Sequence, residues 1–195
     1  MSLIRAITIG YTESMPYRES RMVVSSRHFF PEKAIEAILF VATRLANPTF
    51  HSVSKVFYFA DKKHLERYGR LICGDSYVAM KHGPVPSQTY DLMKASVGRG
   101  WVTPDQAELI QSAFDVSSGC RIQAKRQPEL KLLSESEIEC LAESVTEYGG
   151  RSFGELTSLS HDAAWNSADE NELISIEEIA KTLPNSDALI VHLRS

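Results

Sequence analysis

Apolar positions recur at helical spacing in several stretches of the chain. Ile35, Ile38, Leu39, Ala42 and Leu45 form an i, i+3, i+4, i+7 stripe. They predict a helix that opens at Pro31, where a missing N–H costs nothing, with Glu32 against the helix dipole and Asn47-Pro48 as the stop. Val53, Val56, Phe57 and Ala60, with Phe59 on the shoulder, predict a second helix that Gly69 ends in the left-handed conformation. The short link between the two predicts an antiparallel helical hairpin. Residues 76–80 alternate as a half-buried strand does, and Gly83-Pro84-Val85-Pro86 reads as a rigid turn into a helix at Ser87.

Four Ser/Thr-x-x-Glu/Gln patterns mark further helix starts: Thr103 with Gln106, Ser134 with Glu137, Ser152 with Glu155, and Ser175 with Glu178. The second is expected to start a helix that buries Ile138, Leu141 and Val145; the third, one with Leu156 and Leu159 on its inner side. Residues 114–116 and 120–124 flank a glycine-containing turn and predict a small hairpin, which the strand at 76–81 is expected to extend to three strands. Residues 187–193 fit a helical turn or an edge strand. Residues 1–27 lack sustained periodicity and read as an N-terminal arm with a short strand at 3–9, ahead of one domain over 28–195. The expected fold is mainly α (α+β): a single helical domain with a small antiparallel two- to three-stranded β-sheet.

Composition narrows the class. Hydrophobic residues make up 43% of the 195 and charged residues 24%, as in a globular chain. Three scattered cysteines, Cys73, Cys120 and Cys140, without a Cys-x-x-Cys pair, fit neither a disulfide framework nor a cysteine zinc site. The opening apolar run is short and broken by Arg5, and no stretch approaches the ~20 apolar residues that span a bilayer. A cytoplasmic protein is the expectation. Net charge is −4, but residues 134–195 carry 3 basic against 13 acidic side chains, leaving 18 basic and 12 acidic in residues 1–133. Two readings follow: faces that attract each other within the fold, or an acidic surface that steers a basic partner.

One stretch resembles a known family. Lys55-Val-Phe-Tyr-Phe-Ala-Asp61, His64-Leu65, Tyr68-Gly69 and Tyr77-Val-Ala-Met-Lys-His-Gly-Pro-Val-Pro-Ser-Gln-Thr-Tyr-Asp-Leu92 are similar to the core signature of the Panacea, or SocA-like, domain. Phe153-Gly-Glu-Leu-Thr-Ser-Leu-Ser-His161 and Ala164-Trp165 add a second match, and the likeness spans roughly residues 28–170. The resemblance implies an antitoxin of a bacterial or phage toxin–antitoxin pair. Its partner would be a cognate protein toxin, encoded by an adjacent gene and neutralised by direct binding. It also implies a related role, a proteolytic adaptor that presents the toxin to an ATP-dependent protease.

The residues themselves carry little recognisable chemistry. Asp61 and His64 share a helix face, and with His161 they offer a metal or acid–base triad, hence a rival metal-dependent hydrolase. The plainer reading is a hydrogen-bonded network that fixes packing. Lys55 is expected to meet an Asp or Glu. Tyr58, in the run 57–59, is expected near a surface or against another element, and polar-tipped aromatics can anchor a partner. His82 lies in the turn before Ser87, and Trp165 is expected to wedge its helix end into the core. Lys62, Lys63, Arg67 and Arg70 with Lys125 and Arg126 form either a solvated face or a nucleic-acid patch, and a third reading is a DNA-binding autorepressor that uses a helix beside the small sheet as a winged-helix protein does. No catalytic residue, metal ligand or cofactor is assigned. Lys55, Tyr58, Asp61, His64, His82, His161 and Trp165 form the candidate polar and partner-binding set, with no membrane partner expected and nucleic acid disfavoured.

Overall fold

The computed structural model describes residues 29–100 and 102–195; the expected arm over 1–27 and its strand at 3–9 lie outside them. Among the described residues the helices are α1 (Pro31–Ala42), α2 (Phe50–Tyr68), α3 (Ser87–Ala95), α4 (Pro104–Ala113), α5 (Glu135–Tyr148), α6 (Phe153–Ser160), α7 (Ile176–Lys181) and α8 (Ser186–Arg194). The strands are β1 (Tyr77–Met80), β2 (Gly83–Pro86), β3 (Phe114–Ser117), β4 (Arg121–Ala124) and β5 (Leu173–Ile174). The architecture is mainly helical with small antiparallel sheets, as the periodicity predicts. No described helix is long and apolar enough to cross a membrane.

The centre is α2. A Thr49–Ser52 capping box opens it, and Gly69, at φ 69°, closes it. Every residue from 53 to 61 is buried, so this stretch of the helix is covered on all sides, while Arg67 and Tyr68 at its end are exposed. Val53, Val56, Phe57 and Ala60 join one apolar cluster with α1, α3, α4 and α5. Tyr58, Phe59 and Leu65 join a second with β1, β5 and α6 to α8. Its broadest partner is α5, where an antiparallel hairpin with α1 was expected. Cys140 and Leu141 of α5 share the apolar cluster of Val53, Val56, Phe57 and Ala60, and ion pairs flank the contact: Lys63 meets Glu143 and Glu147, and Arg67 meets Glu139 and Glu143. Ser144 adds a hydrogen bond to the Val56 carbonyl oxygen at 2.7 Å.

Strand pairing departs from expectation. β1 is central in a sheet ordered β2-β1-β5, with Met80 opposite Gly83 and Tyr77 opposite both Pro86 and Ile174. The segment 83–86, read as a turn, is therefore an edge strand, and the turn itself is Lys81-His82. Prolines are tolerated there because an edge strand has amides that need no ladder partner. The β3–β4 hairpin stands apart as a second sheet, tied to the start of α2 by the Phe50 amide on the Cys120 carbonyl oxygen and the Ile122 amide on that of Pro48. The helix starts at Thr103, Ser134 and Ser152 carry full capping boxes. At Ser175 the hydroxyl caps the Glu177 amide, without the reciprocal bond. The last segment, open between helix and strand, is helix α8, with Leu189 buried.

Candidate functional site

A helix buried all round must satisfy the polar groups it carries. Asp61 is fully enclosed: its Oδ1 accepts from the Ile72 amide and its Oδ2 from the Tyr77 hydroxyl, both at 2.7 Å. Burial pushes its carboxyl up to about 7, against the opposing pull of those two hydrogen bonds. One turn on, His64 Nδ1 lies 2.8 Å from the Arg70 carbonyl oxygen and Nε2 lies 3.2 Å from Ser136 Oγ. Both ring nitrogens are thus engaged away from Asp61. His161 stacks on Trp165, with ring centroids 3.7 Å apart. The triad of Asp61, His64 and His161 does not assemble, and no group of three or more His, Cys, Asp or Glu among the described residues is disposed to hold a metal ion.

Tyr58 is also fully buried, so it offers no anchor to a partner. Its hydroxyl donates to Asp162 Oδ2 at 2.8 Å, where Lys62 Nζ arrives at 2.7 Å, and the Trp165 amide donates to Asp162 Oδ1 at 3.1 Å. The Trp165 indole Nε1 donates to the Met80 carbonyl oxygen at 3.0 Å, which ties the short 3-10 turn after α6 to β1. Tyr58 and Tyr77 meet edge to face, 5.2 Å apart. The two carboxylate networks therefore form one frame around α2.

A cavity of about 390 Å³ opens beside the first half of α2. Phe50, Val85, Tyr90 and Phe153 supply apolar walls, and Lys55, Lys81, His51 and His82 bring basic groups, against the single carboxylate of Glu170. His51 stacks on Phe153 at 3.9 Å, and His82 meets the same ring at 5.1 Å. Burial, then the charges of Lys55 and His82, hold the His51 imidazole down to about 4.

Lys55 has no exposed surface. Its Nζ donates to the Pro84 carbonyl oxygen at 2.8 Å, and burial pushes the amine down to about 7. The carboxylate contact expected for it is absent among the described residues, because strand β2 occupies that flank. Gly83 makes the approach possible: at φ 99° it takes a conformation side chains rarely adopt, and a Cβ there would sit 2.8 Å from Lys55 Nζ and closer still to Ser160 Oγ.

The structure thus gathers Lys55, His82, His161 and Trp165 on one side of α2. Burial, then the charges of Lys55 and His82, lower the His161 pKa. Asp61 and His64 face elsewhere. The candidate set omitted His51, Phe153 and Asp162. His51 precedes Lys55 by four residues, a same-face spacing legible in the sequence; Asp162 had no such signal. The six cations weighed as a nucleic-acid patch are each paired: Lys62 with Asp162, Lys63 and Arg67 with α5, Arg70 with Glu137, Lys125 with Asp115 and Arg126 with Glu36.

Residues 53–166, from Val53 on α2 to Asn166 beside Trp165, match the family model described as antitoxin SocA-like, Panacea domain. The chain belongs to that family. No curated protein and no solved structure matches it. The Panacea match lies within the 28–170 span read from the residues, and it encloses the whole frame: Lys55, Tyr58, Asp61, Tyr77, Gly83, Asp162 and Trp165. Helix α1, His51, strand β5 and the two last helices flank the matched Panacea segment.

Proposed function

We propose that this protein is an antitoxin that neutralises a cognate protein toxin by direct contact. The match of residues 53–166 to the antitoxin SocA-like Panacea domain carries this reading. Because Tyr58 and the α2 frame are internal, the contact surface belongs to exposed side chains. Phe153 and Leu159 on α6, 54% and 47% exposed, are apolar residues of the matched segment of the size that anchors protein interfaces; of the two leucines expected on the inner side of α6, only Leu156 is buried. Of the 13 acidic residues in 134–195, Glu139, Glu143, Glu147 and Asp162 pair with cations of α2 and Glu137 with Lys33 and Arg70, which gives that part of the charge an internal role.

The test is co-expression with the product of the adjacent gene, scored for growth and for co-purification. Rescue with a stable complex, weakened by Phe153→Ala with Leu159→Ala, is the expected result. Rescue without a complex, with the toxin lost only when an ATP-dependent protease is present, would replace neutralisation by the adaptor role. A neighbour that is harmless when expressed alone would overturn the antitoxin reading.

A further inference from the structure

We propose that the cavity beside α2 is a binding site for a small aromatic monocarboxylate, a ligand distinct from the toxin. The first ground is a charge without a counter-charge. Other enclosed or half-enclosed cations meet a carboxylate: Lys33 on Glu137, Lys62 on Asp162, Lys63 on Glu147, Arg126 on Glu36. Lys55 is more deeply buried than any of these, yet its one polar contact is a carbonyl oxygen, which leaves two of its three donors unused. A buried amine keeps its proton most readily beside an acid, and a carboxylate entering the cavity would supply one. His161 repeats the pattern nearby: its Nε2 is buried without a hydrogen-bond partner.

The second ground is shape. About 390 Å³ lies within the range of small-molecule sites, and the walls offer three aromatic rings from Phe50, Tyr90 and Phe153. A planar apolar body fits between them. Lys81 and His82, exposed on the β1–β2 turn, are placed to contact the carboxylate, while the buried Lys55 amine acts at longer range from behind Gly83, with the Ser160 hydroxyl beside it. Glu170 on the same lining disfavours multiply charged anions and sets the preference for a single negative charge.

The probe is 2-naphthoate, titrated into the full-length protein by calorimetry and by its own fluorescence, with neutral 2-naphthamide as the matched control. Naphthoate is expected to bind at least ten-fold more tightly than naphthamide. Lys81→Gln with His82→Gln, both on an exposed turn, should remove most of that preference, and Lys55→Met should remove it if the variant folds by circular dichroism. Equal binding of the two probes would show a merely apolar cavity and overturn the proposal, as would no binding of either. Co-expression rescue is scored separately, so failure here leaves the antitoxin reading untouched.

Discussion

Lys55 reaches from the middle of α2 to the edge strand β2, and its Nζ donates to the Pro84 carbonyl oxygen at 2.8 Å with no carboxylate beside it. The amine lies near 7, against an ordinary 10.5. Between those two values the unfolded chain holds a proton that the folded one has released. The contribution of Lys55 is therefore most favourable above about 10.5 and is lost as pH falls to about 7. In Lys55→Met this dependence disappears. Urea unfolding of both proteins should show the variant's stability relative to the parent falling by about 1–2 kcal/mol from pH 7 to pH 9. A constant difference would mean that Lys55 titrates normally.

Asp61 has the opposite sign. Burial raises its carboxyl to about 7, so its favourable contribution is complete below the ordinary 3.8 and is lost as pH rises through about 7. Asp61→Asn keeps an oxygen for the Ile72 amide and offers the Tyr77 hydroxyl an NH₂ donor. Its stability relative to the parent should rise by about 1–2 kcal/mol between pH 5 and pH 8. Unfolding curves at four pH values test the slope, and a flat difference would place the carboxylate as ionised throughout.

Gly83→Ala places a methyl group against Ser160 Oγ and Lys55 Nζ at a φ of 99°. The cost should exceed about 2 kcal/mol, since backbone strain and close contact add. Thermal unfolding should fall by several degrees. Adding Ser160→Gly should restore only part of the loss, because it removes the contact and leaves the backbone strained. Full restoration would show that the conformation at Gly83 carries no strain.

Glu137 is enclosed at the start of α5, where Lys33 at 2.8 Å and Arg70 at 2.7 Å converge on Oε1 and the Ser134 amide donates to Oε2. Burial opposes its ionisation, but the Lys33, Ser134 and Arg70 contacts outweigh it and hold the carboxyl below its usual 4.5. This stability is present above 4.5 and is lost as pH falls below it. Glu137→Ala should cost about 3 kcal/mol at pH 7 and flatten the acid limb of the stability profile. A loss under about 1 kcal/mol would mean that solvent already screens Lys33 and Arg70.

What could be read from the chain was local. The stripe from Ile35 to Ala42, the box at Thr103 and the glycine stop at Gly69 are neighbour relations along one helix or one turn, and each appears as the spacing implies, although the first helix ends at Ala42, short of the stop expected at Asn47-Pro48. Family membership was likewise legible, because the signature residues are contiguous runs. The tertiary structure decided whatever depended on partners distant in sequence. It turned 83–86 from a turn into a strand, because β1 needed a second edge; it enclosed Tyr58, because Asp162 lies 104 positions away and satisfies its hydroxyl. It parted Asp61 from His161 and brought Lys55, His82 and His161 to one side of α2. The stretch 53–61 of α2, covered on every face, shows no polar stripe to mark its outside, so which of its polar residues meet each other, which meet backbone, and which remain without a counter-charge is settled only when the other elements close around it.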